Sequence, residues 1–265
     1  MALVAGLLVG CGSTSTSTLY DTPNWMPDGR IICNKLVITT SQQLYGGGIS
    51  GAQGYMAAFY PSGTGEVNLF EIGALCGTTC SPTGELIAAI SPYYNGITYT
   101  ILIYDYSGNV SQVPNTSNVQ YLDWSPDATK LVYSDDNRDL YVINRDGTGK
   151  TKIATNAEAV AWRVGEKIAY VGNKLTLINS DGTGTLETVV GGRPQIKSNG
   201  DIVYQYLSEV RSINNVGANE TTLFSGYQPY TFKLSYDGQN IVGGAFGDPG
   251  IWLINIDGTG STEIR

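Results

Sequence analysis

A repeated segment dominates this sequence and limits what the chain can fold into. Each copy contains a turn rich in Pro, Asp and Gly, two apolar runs, and a second turn centred on glycine. Successive second turns lie 35 to 45 residues apart, at Gly63, Gly108, Gly147, Gly182, Gly217 and Gly258. A period of this length is typical of propellers and solenoids, in which each repeat forms one supersecondary unit.

The third copy is the clearest. It has four β-rich runs separated by the turn Ser125-Pro126-Asp127-Ala128, a polar connection, and the turn Asp146-Gly147; the runs cover residues 120–124, 130–134, 139–143 and 150–153. Four short strands joined by such turns predict a four-stranded antiparallel meander, which is one propeller blade.

Six copies therefore predict an all-β fold, a six-bladed β-propeller of four-stranded antiparallel blades. The expected propeller covers residues 20–265, with blades at approximately 20–72, 73–116, 117–156, 157–191, 192–226 and 227–265.

The motifs at residues 124–127 and 140–147 resemble the TolB-type propeller repeat. The resemblance covers roughly residues 20–265 and implies a six-bladed propeller, but it specifies architecture rather than activity. TolB carries an additional N-terminal α/β domain, and peptidases of the prolyl-oligopeptidase class pair such a propeller with a hydrolase domain. Neither domain is predicted here, and no Gly-x-Ser-x-Gly motif is present.

Composition excludes several classes of function. The formal net charge is -8 and the chain contains no histidine. An acidic protein repels nucleic acid phosphates, so no nucleic-acid partner is expected. Without histidine, the Ser-His-Asp and Cys-His mechanisms and the commonest zinc sites cannot form. No cofactor is predicted.

The first residues resemble an export signal. Residues 2–10 are apolar but too few to span a bilayer, and Leu8-Val9-Gly10-Cys11 resembles a bacterial lipobox. We expect a signal peptide over residues 1–11, lipidation of Cys11, and a Ser/Thr tether over 12–19. This predicts a protein exported and lipid-anchored in the bacterial cell envelope, facing the periplasm or the surface, that meets the membrane only through its anchor. The alternative is an apolar first strand.

Three cysteines remain beyond Cys11, an odd number that does not predict a disulfide scaffold. Cys76 and Cys80 would lie about 13 Å apart in an extended segment, too far to bridge. Cys80 occupies the place that Trp124 takes in the third copy, which predicts a buried thiol at this position. The sequence leaves the disulfide state of Cys33, Cys76 and Cys80 open.

One face of the predicted disc carries the variable connections, at residues 42–54, 92–98 and 246–250. Variable loops on a rigid scaffold commonly bind ligands, so we expect this to be the binding face. Its aromatic residues suit peptide segments or sugar rings, although some are expected to pack between blades. The candidates are Tyr45, Tyr55, Tyr93, Tyr94, Tyr227, Tyr230 and Phe246.

An acidic cluster in blade three is a weak calcium candidate. Asp135, Asp136, Asn137 and Asp139 offer the hard oxygen ligands that Ca²⁺ prefers. The twelve-residue calcium loop with its terminal Glu is absent, so the alternative is a solvated hairpin loop, and no metal is predicted.

These features predict a non-catalytic envelope lipoprotein that binds a protein or glycan through the loop-rich face. One alternative is a carbohydrate-active enzyme, a lyase or hydrolase using carboxylates and Tyr in the channel; another is a structural subunit of a surface assembly. Two carboxylates facing each other across the channel would favour the enzyme, and an aromatic patch would favour binding. A related propeller class of pectin lyases uses a histidine-bound metal, which this chain cannot supply.

Overall fold

The computed structural model describes residues 14–41, 48–73, 75, 77–91, 99–226, 232–244 and 250–265. The regular secondary structure of these residues is entirely β, in six antiparallel sheets that each use four consecutive strands. The predicted all-β six-bladed propeller is confirmed. The strands of blades one to three are β1 (Thr14–Trp25), β2 (Ile31–Ser41), β3 (Gly48–Phe59), β4 (Val67–Ile72), β5 (Thr78–Cys80), β6 (Leu86–Ile90), β7 (Ile101–Asp105), β8 (Val110–Gln112), β9 (Val119–Trp124), β10 (Lys130–Asp135), β11 (Leu140–Asn144) and β12 (Thr151–Ala154).

Blades four to six are built in the same way. Their strands are β13 (Val160–Ala161), β14 (Lys167–Val171), β15 (Leu175–Asn179), β16 (Leu186–Glu187), β17 (Gly192–Ile196), β18 (Ile202–Tyr206), β19 (Glu209–Ile213), β20 (Thr221–Ser225), β21 (Lys233–Leu234), β22 (Asn240–Gly244), β23 (Ile251–Asn255) and β24 (Thr262–Glu263).

Local turn chemistry sets the strand boundaries. In blade three, the backbone N–H of Ala128 donates to the carbonyl of Ser125 at 2.9 Å, and Asp127 accepts the N–H of Thr129 at 3.1 Å. In the second turn of the same blade, Gly147 N–H donates to the carbonyl of Asn144 at 2.8 Å. Gly147 has φ of +83°, a conformation that glycine adopts without a Cβ penalty.

The core is divided among the blade interfaces. Six buried apolar clusters lie between neighbouring blades, one for each interface of the ring. Trp124 is fully buried against blade two, where its Nε1 donates to the carbonyl of Thr79 at 3.1 Å. Burying a large apolar side chain stabilises a fold by about 1.5–3 kcal/mol, so each blade depends on its neighbours.

Side chains close the ring, because blades one and six share no strand. Trp25 Nε1 donates to the carbonyl of Lys233 at 3.2 Å, and Arg265 Nε pairs with Glu66 at 3.0 Å. The Arg265 guanidinium also lies 4.3 Å from the ring centre of Phe59. Blade six is thereby fixed to blade one.

Two sequence predictions about blade one are wrong. The predicted tether over 12–19 is part of β1 from Thr14 onward, and the predicted loop over 42–54 is part of β3 from Gly48 onward. The reason is pairing: β1 and β3 both hydrogen bond to β2 along its length. Ser and Thr suit such a sheet surface because their hydroxyls can pair across strands, as Ser15 and Thr40 do at 2.7 Å.

Cys33 and Cys80 are both buried, and burial is what the sequence predicts for Cys80. Burial raises the pKa of the Cys80 thiol to about 12. Cys76 and Cys11 lie outside the described residues. Within the described ranges, no helix is long and apolar enough to span a membrane.

Candidate functional site

The innermost strands of all six blades surround a central channel. At the end of the channel where these strands begin, a cavity of about 460 Å³ opens, which we call the channel mouth. Every blade contributes to its wall, through residues that include Pro23, Thr78, Tyr121, Val160, Arg193 and Lys233. A cavity of this size can hold a peptide segment or a few sugar rings.

Two strained bulges lie in the wall of the channel mouth. Thr22 and Arg193 have φ of +49° and +48°, and each precedes a proline, Pro23 and Pro194. The strand register shifts at both places. A non-glycine residue in this region costs about 1–3 kcal/mol, and such strain concentrates at binding and catalytic sites.

The channel mouth is cationic although the chain is acidic. Its wall contains Arg193 and Lys233, and no Asp or Glu among the residues that the structure describes. Arg193 Nη1 donates to the neutral side chain of Gln205 at 2.7 Å, and Lys233 is half-buried. Neither cation has an ion-pair partner among the residues that the structure describes. Tyr121 is 47% exposed on the same wall. This surface suits a ligand that carries carboxylate or other anionic groups.

The opposite end of the channel is almost closed, with a cavity of about 30 Å³. Arg163 stacks on the Tyr236 ring at 4.2 Å, and its Nη1 donates to the carbonyl of Leu234 at 3.0 Å. The Tyr236 hydroxyl donates to the carbonyl of Cys80 at 3.3 Å. Burial lowers the pKa of Arg163 and raises that of Tyr236. The pair links blades four, six and two, and narrows the channel.

One carboxylate lies in the channel wall that the structure describes, that of Asp123. Its Oδ1 accepts the Thr79 hydroxyl and the Trp124 N–H, both at 3.0 Å, and its Oδ2 accepts the Trp162 N–H at 2.9 Å. Both oxygens therefore hold neighbouring blades together. Glycoside hydrolysis by a carboxylate pair requires a second acid group facing the first.

Of the seven aromatic residues predicted for the binding face, the structure describes one. Tyr55 lies half-buried in β3, opposite Lys35 in β2, whose Nζ is 6.0 Å from the ring centre. The remaining candidates lie outside the described residues: Tyr45, Tyr93, Tyr94, Tyr227, Tyr230 and Phe246. The shared aromatic patch therefore remains a prediction.

The calcium candidates have other partners in the structure. Asp135 accepts the N–H groups of Asn137 and Asp139 at 3.0 and 2.9 Å, and Asp139 pairs with Lys152 at 2.6 Å. Asp136 is exposed in the same turn. In the described part of the chain, no group of three or more Asp, Glu or Cys is placed to hold a metal ion. Asp135 thus shapes the turn between β10 and β11, and Asp139 links this hairpin to β12.

Sequence reasoning missed the charged residues of the channel. Arg163 replaces the Ser that follows the Trp in Trp124-Ser125, and Tyr236 replaces the Pro of Ser125-Pro126. These departures from the repeat were the only sequence feature that could have indicated the roles of Arg163 and Tyr236 in the channel. Arg193, Lys233 and Tyr121 lie on innermost strands, which the repeat pattern predicts only as part of the blades.

No family model and no curated protein matches this sequence. Among solved structures, the chain is similar to part of the tricorn protease, with a TM-score of 0.63 and 14% identity over 94% of this chain and 26% of that one. This chain thus spans about a quarter of that protease. An oligogalacturonate lyase in complex with manganese gives a TM-score of 0.59 and 13% identity, covering 93% of this chain and 77% of the lyase. A putative TolB from Agrobacterium tumefaciens matches at 14% identity and a TM-score of 0.48, covering 97% and 90% of the two chains. At these identities the similarity concerns the fold alone.

Proposed function

We propose that this chain is a non-catalytic binding propeller of the bacterial cell envelope that receives a protein segment or a glycan at the channel mouth. The observation that carries the proposal is the contrast between the two ends of the channel. The channel mouth offers about 460 Å³ with the cations Arg193 and Lys233 and an exposed tyrosine. The narrow end holds the carboxylate Asp123, which is fully engaged in hydrogen bonds between blades.

The lack of histidine and of a second carboxylate in the described channel wall supports binding over catalysis. The similar lyase was solved with manganese. Here, a histidine-ligated metal has no ligands available, because the chain contains no histidine. Chemistry that relies on paired carboxylates would need a partner for Asp123.

The envelope location rests on residues 1–11, with their apolar run and the lipobox-like Cys11. Replacing the cysteine (Cys11→Ser) should move the protein from the membrane fraction of expressing bacteria to the soluble fraction. Unchanged fractionation would contradict lipid anchoring and leave the binding proposal standing.

The binding role is tested with purified protein and two matched tyrosine variants. Tyr121 is 47% exposed in the channel mouth, whereas Tyr60 is 54% exposed in a turn beyond β3, at the end of the blade remote from the channel mouth. A panel of envelope glycans and peptides is screened by calorimetry for binding and by product analysis for turnover.

We expect at least one binder without turnover, and an affinity that Tyr121→Ala weakens about tenfold or more while Tyr60→Ala leaves it unchanged. Turnover of a polysaccharide would instead favour the carbohydrate-active enzyme. Equal effects of the two variants would place the site away from the channel mouth.

A further inference from the structure

Blade one carries an extension that the other blades lack. Its first three strands contain 12, 11 and 12 residues, whereas in the other five blades the described strands have six residues or fewer. The additional length comprises residues 14–21 of β1, 35–41 of β2 and 48–53 of β3, which form a three-stranded antiparallel sheet. At the usual rise per residue, this extension continues about 20 Å past the channel mouth.

The base of the extension is fixed to the body of the propeller. Tyr20 donates to Glu66 at 2.9 Å, Lys35 pairs with the same carboxylate at 2.5 Å, and Arg265 binds it at 3.0 Å. The Tyr20 hydroxyl is consequently held neutral, with its pKa raised to about 12 by burial and by Glu66. β1 thus leaves the propeller in a defined direction.

Among the strands that the structure describes, none pairs with the outer edge of β1. In the described structure β1 hydrogen bonds only to β2, so every second residue of β1 directs its N–H and C=O away from the sheet. Residues 15–19 are exposed. Natural edge strands are usually protected by charged residues, proline or bulges. Residues 14–20 contain none of these in seven positions, and the first charge and first proline come at Asp21 and Pro23.

The same strand leads directly into the cationic channel mouth. After the exposed edge, β1 continues through Thr22 and Pro23, which line that cavity together with Arg193 and Lys233. A ligand lying along the edge would therefore extend from a row of main-chain hydrogen-bonding groups to the cations Arg193 and Lys233.

We propose that the free edge of β1 binds an extended, acidic polypeptide segment by strand addition, with its carboxylates directed toward Arg193 and Lys233. This inference rests on the proposed binding function and specifies a polypeptide as the ligand. The reason is geometric: donors and acceptors that repeat with the period of a β-strand match another peptide backbone, and glycans have no such repeat. The cations of the channel mouth supply the charge complementarity.

The test uses a synthetic probe whose binding is followed by fluorescence anisotropy. The probe is a labelled decapeptide, Thr-Val-Thr-Val-Thr-Val-Gly-Asp-Asp-Asp. Two versions are N-methylated on the Thr amides or on the Val amides, and a third replaces Asp by Asn. We expect one N-methylated version to bind at least tenfold more weakly than the other, because only one set of amides faces β1. The Asn version should also bind at least tenfold more weakly.

Variants of the protein test each half of the surface. The double substitution Arg193→Gln with Lys233→Gln should weaken binding of the acidic probe at least tenfold. The control Lys130→Gln, at an exposed site on another blade, should leave binding unchanged. On the edge, Ser17→Pro and Thr18→Pro are compared. Because neighbouring residues direct their N–H groups to opposite sides, one substitution removes an outward donor and leaves the β1–β2 ladder intact. That variant should keep its melting temperature and lose the probe.

The proposal is overturned if the folded proline variant binds the probe like the unchanged protein, or if the unchanged protein binds no version of it. Sedimentation addresses the other occupant, a second copy: a dimer that the same proline variant converts to monomer would make the edge a self-interface. If the probe fails while Tyr121→Ala still weakens a glycan, the proposed function stands and the strand-addition inference fails.

Discussion

At the scale of single residues, the second turn of blade three depends on Gly147 for two separable reasons. Gly147 has φ of +83°, and a Cβ at this position would lie 2.6 Å from the ring of Pro114 and 2.8 Å from its carbonyl oxygen. Gly29 has a similar φ of +86° with no atom within 4 Å of such a Cβ. At Gly73, φ is not positive and no atom lies within 4 Å of an added Cβ. The three positions form a graded series.

We expect Gly147→Ala to lower the free energy of unfolding by about 2–4 kcal/mol, because the alanine is strained and also overlaps Pro114. Gly29→Ala should lower it by about 1 kcal/mol through backbone strain alone, and Gly73→Ala should be close to neutral. Urea melts measure all three. Equal losses at Gly147 and Gly29 would mean that the Pro114 contact between blades two and three is absent.

At the scale of elements, an aspartate at the same position of the repeat shapes the hairpin between the third and fourth strands in blades three, four and six. Asp146, Asp181 and Asp257 each accept the backbone N–H of the threonine two residues later at 2.9 Å, and its hydroxyl as well. These hydrogen bonds, first of all the one from the Thr hydroxyl, hold the pKa of each aspartate below its ordinary 3.8.

A lowered pKa in the folded state means that the unfolded chain binds more protons near pH 4. The stabilisation is therefore complete above about pH 5 and is lost as the pH falls through 3.8 and below. We expect the melting temperature to fall over that range, and to fall less steeply in the triple variant Asp146→Asn, Asp181→Asn, Asp257→Asn. The exposed Asp136→Asn serves as the control. An unchanged slope in the triple variant would contradict the assignment.

The strands also show which parts of the fold could be predicted from the sequence and which could not. Turns such as Ser125-Pro126-Asp127 and Asp146-Gly147 are local, so the sequence alone predicted the repeat and the six blades. The segments 14–19 and 48–54 were predicted as tether and loop because Ser, Thr and Gly also predominate in solvated linkers. Their strand structure comes from pairing with β2, which is a non-local property. Arg193 and Lys233 line the same cavity only because the blades close into a ring, so their shared location could not be derived from spacing.

At the scale of the whole molecule, ring closure depends on Arg265. Its side chain is 15% exposed, pairs with Glu66, donates to the carbonyl of Gly63, and stacks on Phe59. We expect Arg265→Ala to lower the free energy of unfolding by about 1.5–3 kcal/mol, since charged hydrogen bonds between blades six and one are lost. Arg145→Ala, at an exposed arginine of blade three, should change it by less than about 0.5 kcal/mol. Equal effects in urea melts would indicate that this contact does not close the ring.

In our proposal, recognition takes place at the channel mouth and along the adjoining edge of β1. Hydrogen exchange with mass spectrometry, measured on the full chain with and without the acidic decapeptide, tests it most directly. We expect slower exchange in residues 14–21 and in the channel-mouth strands around Arg193 and Lys233, with the turn at 144–148 unchanged. Protection confined to that turn or to the outermost strands, or no protection at all with saturating peptide, would contradict it.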